Sequence, residues 1–275
     1  MITPRKLKNA LKAKLDQRKF MNQPTSRCDT SNLMRLQETD FQRMLSRERF
    51  EEEWHNVVGL TKLFTISATG GGVNDGDRRI LYQIIRSSNA LSVLEIGTHI
   101  GASTLHIAAA LRKNADIAGS ECYLGTVDIE DVNSSSGPHA THKCSHTPKA
   151  MLEEAGLLSF VEFSVARAQE VMSSEKRKFH AIFLDGDHSP AAVYSEIPLA
   201  LHLLDKGGVI ILHDYFPNGE PIWPGSKPLT GPYMAVQRHL EEGADFEVLP
   251  VGEVEWPTKL GSRKSSLAIL ARRSI

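Results

Sequence analysis

The chain has 275 residues, 41% hydrophobic and 24% charged, which suits one large α/β core in an ordinary globular enzyme. Its formal net charge of −1 leaves no basic footprint for nucleic acid. No apolar run reaches the roughly 20 residues that span a bilayer, and no secretory signal pattern opens the chain. The three cysteines (Cys28, Cys122, Cys144) are scattered, which fits a reducing compartment, and a cytoplasmic protein is expected.

Taken in chain order, residues 1–20 carry Arg5, Lys6, Lys8, Lys12, Lys14, Arg18 and Lys19 against Asp16 alone, with Leu7, Leu11 and Leu15 in helical register. The pattern predicts a short basic amphipathic helix, either a solvated arm or a contact to an acidic partner, a membrane surface or a sister subunit. Residues 22–36 are polar and read as a linker or as an arm ordered only by packing. A helical pattern follows (Phe41, Met44, Leu45, Phe50, Trp54, Val57, Val58), then the break at Gly70, Gly71 and Gly72. Residues 1–74 are therefore expected to form a helical N-terminal extension, through which a homo-oligomer could assemble, ahead of a domain over 75–275. Asp75 and Asp77 are predicted to cap a helix running through Ile80, Leu81, Ile84 and Ile85.

From residue 91 apolar strands alternate with amphipathic helices. Strands are expected at 91–96, 122–128, 160–165, 179–185 and 208–213, each followed by a helix (101–113, 148–156, 167–175, 189–204, 230–242). Two last strands fall near 245–251 and 266–271. This order implies an α/β fold: a Rossmann-like, mostly parallel sheet of seven strands covered by helices on both faces. Ligands of such sheets bind at the carboxyl ends of the strands.

The first of those ends reads Glu95-Ile96-Gly97-Thr98-His99-Ile100-Gly101. Strand, glycine turn and helix suggest a ligand approached closely by backbone, but the tight Gly-x-Gly turn of a pyrophosphate site is missing. This Glu-x-Gly-x-x-x-Gly pattern resembles motif I of the class I S-adenosylmethionine-dependent methyltransferases. The resemblance implies that Glu95, Gly97, Thr98 and Gly101 border S-adenosyl-L-methionine, with Glu95 acting through turn backbone or water. Ser103, at the start of the next helix, is placed to hold the methionine carboxylate. Asp128, ending the second strand, can accept both ribose hydroxyls, the role of the matching acid in that family. Ala168 and Gln169 resemble the turn that borders adenine in catechol-type O-methyltransferases, although Gln169 also reads as an ordinary first-turn helix residue.

After strand four comes Asp185-Gly186-Asp187-His188, with Ser189 and Pro190 as a helix cap and first position. After strand five comes His213-Asp214-Tyr215. Both segments resemble the catechol O-methyltransferase-like group, in its bacterial branch of small-molecule enzymes. The resemblance implies a catalytic pair, with Asp185 as a metal ligand also bordering the cofactor and His188 as the base that takes the hydroxyl proton. An imidazole suits that task near neutral pH. His188 could equally cap its helix or orient Asp185. For Mg²⁺, Asp185 and Asp214 match two ligands of the family, but the third position is Tyr215, a poor ligand. Asp187 then completes the set, or the site works without metal, with His213 and His188 on the substrate.

Two inserts stay open. His139, His142, Cys144 and His146 in 131–147 match no closed zinc spacing and read as a loop or lid. Trp223 and Tyr233 in 216–233 could shape the acceptor site or pack at a subunit contact. The expected activity is methyl transfer to a hydroxyl of a small-molecule acceptor such as a natural product, sugar or phenol. An NAD-dependent oxidoreductase and a non-catalytic cofactor-binding module are the alternatives.

Overall fold

The seven expected strands are β1 (Ser92–Ile96), β2 (Tyr123–Asp128), β3 (Val161–Val165), β4 (Phe179–Leu184), β5 (Leu204–Leu212), β6 (Glu247–Glu253) and β7 (Lys264–Ala271) in the computed structural model. It describes residues 16–67, 72–223, 225 and 227–272. Most of the basic N-terminal helix and two glycines of the break, Gly70 and Gly71, lie outside the described residues. The strands form one sheet in the order β3-β2-β1-β4-β5-β7-β6, parallel except for β7, which runs antiparallel to both neighbours. β1 sits near the middle with Val93, Leu94 and Ile96 buried. A strand covered on both faces needs such a continuous apolar run.

Nine helices surround the sheet among the described residues: α1 (Glu38–Met44), α2 (Glu51–Leu63), α3 (Asp75–Ser87), α4 (Ala102–Ala118), α5 (Pro138–Thr141), α6 (Pro148–Glu154), α7 (Ala168–Ser174), α8 (Pro190–Leu203) and α9 (Gly231–Glu241). Residues 16–21 are helical as well. The cap of α3 differs from expectation. Asn74 is the N-cap: its Oδ1 accepts the Asp77 N–H at 3.1 Å and its Nδ2 donates to Asp77 Oδ2 at 2.6 Å, so Asp77 closes the cap from one turn inside the helix. Ser189 and Pro190 cap α8 as the sequence implies.

The extension is built into the body of the fold. Phe41, Trp54, Val57 and Phe64 share one apolar cluster with Ile80, Ile84, Leu105 and Ile107, while Phe20 and Leu33 belong to the cluster on the other sheet face. The polar arm threads between β5 and β7. The Met34 N–H donates to the Gly208 carbonyl at 2.8 Å, and the Arg272 N–H donates to the Met34 carbonyl at 2.9 Å. No described helix is long and apolar enough to cross a membrane.

Because α2 covers what would be the solvent face of α3, three arginines of α3 are buried and each takes a partner. The Arg78 guanidinium donates to the Val73 and Ser67 carbonyls at 2.7 and 2.9 Å. Arg79 pairs with Glu51 and lies over the Trp256 ring, and Arg86 grips both Glu53 oxygens at 2.8 and 2.9 Å. A bidentate pair at a buried guanidinium is costly to break because the remaining charge has no water. The Arg86 hydrogen bond holds the Glu53 carboxyl below its ordinary pKa, so this stabilisation is present above the unfolded pKa and is lost as pH falls through the folded one. Glu53→Ala is expected to lower the unfolding free energy by about 3 kcal/mol in urea titration. Arg43→Ala, which breaks the exposed ion pair with Asp40, should leave the midpoint unchanged.

Candidate active site

A cleft of about 690 Å³ opens at the carboxyl ends of β1 to β5. It is lined by Gly97, Thr98 and Ser103 after β1, by Asp128 after β2, by Ala168 and Gln169 after β3, by Asp185 to His188 after β4 and by His213 and Asp214 after β5. Gly72, Val73, Glu196, Leu229 and Lys259 complete the walls named here.

The turn after β1 is demanded by protein backbone rather than by a ligand. At Gly97 (φ +98°) a Cβ would stand 2.2 Å from the Asp185 carbonyl oxygen. At Gly101 (φ +76°) it would stand 2.8 Å from Pro148 Cβ. Gly97 therefore lets the ends of β1 and β4 touch, and Gly101, which is not in the cleft wall, lets α4 meet α6.

Asp128 organises the same turn. Its Oδ2 accepts the N–H groups of Thr98 and His99 at 3.1 and 2.8 Å, and Oδ1 accepts the Glu130 N–H at 3.1 Å. With two lone pairs per oxygen, this leaves one acceptor position, on Oδ1. Asp128 thus stands in the cleft wall with three backbone donors already on its carboxylate. The Thr98 side chain turns inward to Thr126, so only its backbone serves the cleft.

Glu95 acts from below the turn. It is fully buried beneath the turn and is absent from the cleft wall. Its Oε2 accepts the hydroxyls of Thr104 and Thr126 at 2.6 and 2.7 Å, while Oε1 has no hydrogen-bond partner. Desolvation pushes its pKa up to about 7, against the pull of the Ser103, Thr104 and Thr126 hydroxyls. The side chain props the start of α4 from outside the cleft wall.

On the far side of Asp128, the Gln169 Nε2 donates to Glu196 Oε1 at 3.0 Å. Glu196 is 2% exposed, and burial followed by the charge of Asp187 raises its pKa to about 7. Sequence reasoning missed it, although the signal was present. Val193, Glu196, Ile197 and Ala200 follow the i, i+3, i+4, i+7 stripe of a buried helix face, and an acid there needs a reason.

The reactive end is a knot of carboxylates and imidazoles. His213 Nδ1 lies 2.7 Å from Asp185 Oδ1 and 3.8 Å from Asp214 Oδ2, and its Nε2 lies 3.7 Å from Asp77 Oδ2. Burial opposes charge on this ring, but Asp185, Asp214 and Asp77 together raise its pKa well above the ordinary value and favour the protonated form. The Asp214 carboxyl is lowered despite burial, by His213, His188 and Lys259. Its backbone has φ +50°, and the Ser266 hydroxyl donates to its Oδ1 at 3.3 Å. His188, with a partly exposed side chain, places Nε2 3.3 Å from Asp214 Oδ2 and 3.6 Å from Asp185 Oδ1. Asp77 joins this cluster from α3 and was read from sequence only as a cap.

For Mg²⁺ the donors do not fit. The carboxylate of Asp187 turns to the Ser189 N–H at 2.8 Å instead of joining Asp185 and Asp214. The group whose ligand atoms do converge among the described residues is Asp185, His188 and His213, one carboxylate and two imidazoles. Mg²⁺ takes oxygen ligands, and two of the three groups here offer nitrogen.

The two inserts differ in how they meet the cleft, the second reaching it through Leu229. His139, His142, Cys144 and His146 form no such group. The segment lies against the cleft rim through the His142 and His99 rings, 4.8 Å apart, and is tied to residue 64 by the Ser145 N–H. Trp223 is buried edge-on against Phe216 and donates to the Lys264 carbonyl at 3.1 Å, while Tyr233 packs near Tyr215. Neither reaches the cleft wall.

Residues 94–215 match the family described as "Methyltransferase domain". The chain is 31% identical over 156 residues to a rhamnosyl O-methyltransferase of Mycobacterium bovis, covering 54% of this chain and 55% of that protein. It thus spans about half the length of the curated relatives it matches. An O-methyltransferase of Streptomyces achromogenes involved in tomaymycin synthesis, solved with S-adenosylmethionine, superposes with a TM-score of 0.52 at 20% identity, covering 80% of this chain and 89% of that one. An O-methyltransferase of Bacillus cereus, solved with S-adenosylhomocysteine, gives 0.53 at 20% identity, with 80% and 90% covered.

The raised pKa of Glu95 has a measurable consequence. The folded protein binds this proton more tightly than the unfolded chain, so stability falls as pH rises from about 4.5 to about 7 and then levels off. Glu95→Gln should remove this dependence. Relative to the parent, it is expected to gain on the order of 3 kcal/mol between pH 5 and pH 8, at 1.36 kcal/mol per unit of pKa shift. Denaturant titrations at the two pH values read the difference directly.

Proposed function

We propose that the protein transfers the methyl group of S-adenosylmethionine to a hydroxyl of a small molecule, with a sugar as the acceptor, a reading supported by the match of residues 94–215 to a methyltransferase domain family and by the strand order of the sheet. The observation that carries this reading is the His188 imidazole, paired with Asp214 at 3.3 Å in the same cleft as the turn after β1.

The cofactor, when bound, supplies an electrophilic methyl on a sulfonium. Gly97 and Thr98 would offer backbone to it, Ser103 a hydroxyl, Asp128 its one remaining lone-pair position to the ribose, and Ala168 and Gln169 a border to the base. Asp185 borders the same space but serves mainly to hold His213. The acceptor lies on the opposite side, among His188, Asp214, Leu229 and Lys259. An imidazole with one nitrogen on a carboxylate has its other nitrogen as the proton acceptor, which makes His188 the base for the hydroxyl. Asp214 keeps the ring in place, and most of the rate gain comes from alignment. His213 stands between Asp185 and Asp214, whose charges favour its protonated form.

A sugar is favoured over a phenol by the walls. Among the described residues that line the cleft there is no phenylalanine, tyrosine or tryptophan to stack on an aromatic acceptor. The relative whose name specifies a rhamnosyl acceptor points the same way.

Calorimetric titration is expected to show S-adenosylmethionine binding, and its absence would sink the reading. With rhamnosides and related glycosides as acceptors, His188→Ala should lose about 100-fold or more in kcat while the cofactor dissociation constant stays within about threefold. Treatment with a chelator should leave turnover within about twofold. A loss restored by added Mg²⁺ or Mn²⁺ would return a metal to the site.

A further inference from the structure

We propose that Glu196 is a positioning residue that fixes the Gln169 amide, so that the pair selects a 6-amino purine over a 6-oxo purine in the bound cofactor. The inference rests on the S-adenosylmethionine reading above.

Glu196 is the one acid on the buried stripe of α8, where Val193, Ile197 and Ala200 are its neighbours. Burying a carboxyl group is unfavourable unless hydrogen bonds offset the lost hydration. Yet the side chain is also in the cleft wall, and the partner it has there is Gln169, from the turn after β3. In the sheet order β3-β2-β1-β4, the Asp128 carboxylate stands at the end of β2, with the end of β3 next to it. A nucleoside whose ribose is held at Asp128 extends its base along this wall, towards Ala166, Ala168, Gln169 and Glu196.

A free glutamine amide reads either polarity, because its oxygen and nitrogen exchange places by a half-turn about one bond. Here Nε2 is committed to Glu196 at 3.0 Å. The planar amide then turns Oε1 away from Glu196, and the group becomes a fixed acceptor. Adenine presents an exocyclic amine, which an acceptor satisfies, whereas a 6-oxo purine presents a carbonyl that an acceptor repels. A site built around a hydrogen bond rejects an analogue lacking the donor more strongly than an apolar pocket does, because its own polar group is left unpaired.

The test compares S-adenosylhomocysteine with S-inosylhomocysteine, its 6-oxo counterpart, by calorimetry on the full chain. The parent is expected to prefer the adenosyl ligand by about tenfold or more, the factor that corresponds to one well-placed hydrogen bond. Glu196→Ala releases the amide and should bring the two affinities within about threefold of each other. Glu196→Gln keeps the volume of the side chain and can accept or donate, so it should narrow the ratio likewise even if the alanine variant unfolds. Retention of the parent ratio in the glutamine variant would overturn the proposal. So would an equal loss of both ligands with the ratio kept, since that is what a purely structural role predicts. If the parent binds neither ligand, the S-adenosylmethionine reading itself has failed.

Discussion

At the end of β1 the backbone of Gly97 lies so near the Asp185 carbonyl that a single added carbon would stand 2.2 Å from its oxygen. The Asp185 N–H is bonded to the Ile96 carbonyl at 2.9 Å, and Gly97 itself is bonded to Val127 at 2.8 Å. Three strand ends are thus seamed together where the strand order reverses, between β1 and β4, which is where an open α/β sheet leaves a crevice. The turn that Asp128 ties down and the loop that carries His188 are two sides of that seam. Any side chain at position 97 would force them apart.

Charge burial is the second organising feature. The site holds Asp77, Asp185 and Asp214 around His213, and buries Glu95 and Glu196 nearby. Each finds a different accommodation. The aspartates surround His213 and raise its pKa, while Glu95 and Glu196 have raised pKa values themselves and lean on neutral hydroxyls or an amide. One consequence concerns the extension. Asp77 belongs to α3, whose arginines are held by Glu51 and Glu53 of α2, so the helices before β1 are mechanically joined to the reactive cluster.

Much of this was legible in the amino-acid order. Apolar runs in β1, β4 and β5 and the stripes of α4 and α8 specify a parallel sheet, because period and length are local properties of the chain. The Asp-Gly-Asp-His and His-Asp-Tyr segments likewise announce a reactive strand end, and the cleft does contain Asp185, His188, His213 and Asp214. The glycine turn was legible as a turn but not in its cause, since the atoms that exclude a Cβ belong to Asp185 and Pro148, far away in sequence.

The sequence by itself therefore determined the elements, their order and which strand ends bear chemistry, for these follow from short-range patterning. Only the tertiary structure decided what each polar group does there. Whether Glu95 meets a ligand or lies beneath the turn depends on which face of β1 is covered. Whether Asp128 has two oxygens free depends on how the next turn folds back. That Asp187 turns back to the Ser189 N–H, while Asp77 from an earlier helix faces His213, depends on how the loop after β4 folds and on the docking of α3. A hydrogen-bonding side chain has many partners within reach of its own length, and long-range packing selects among them.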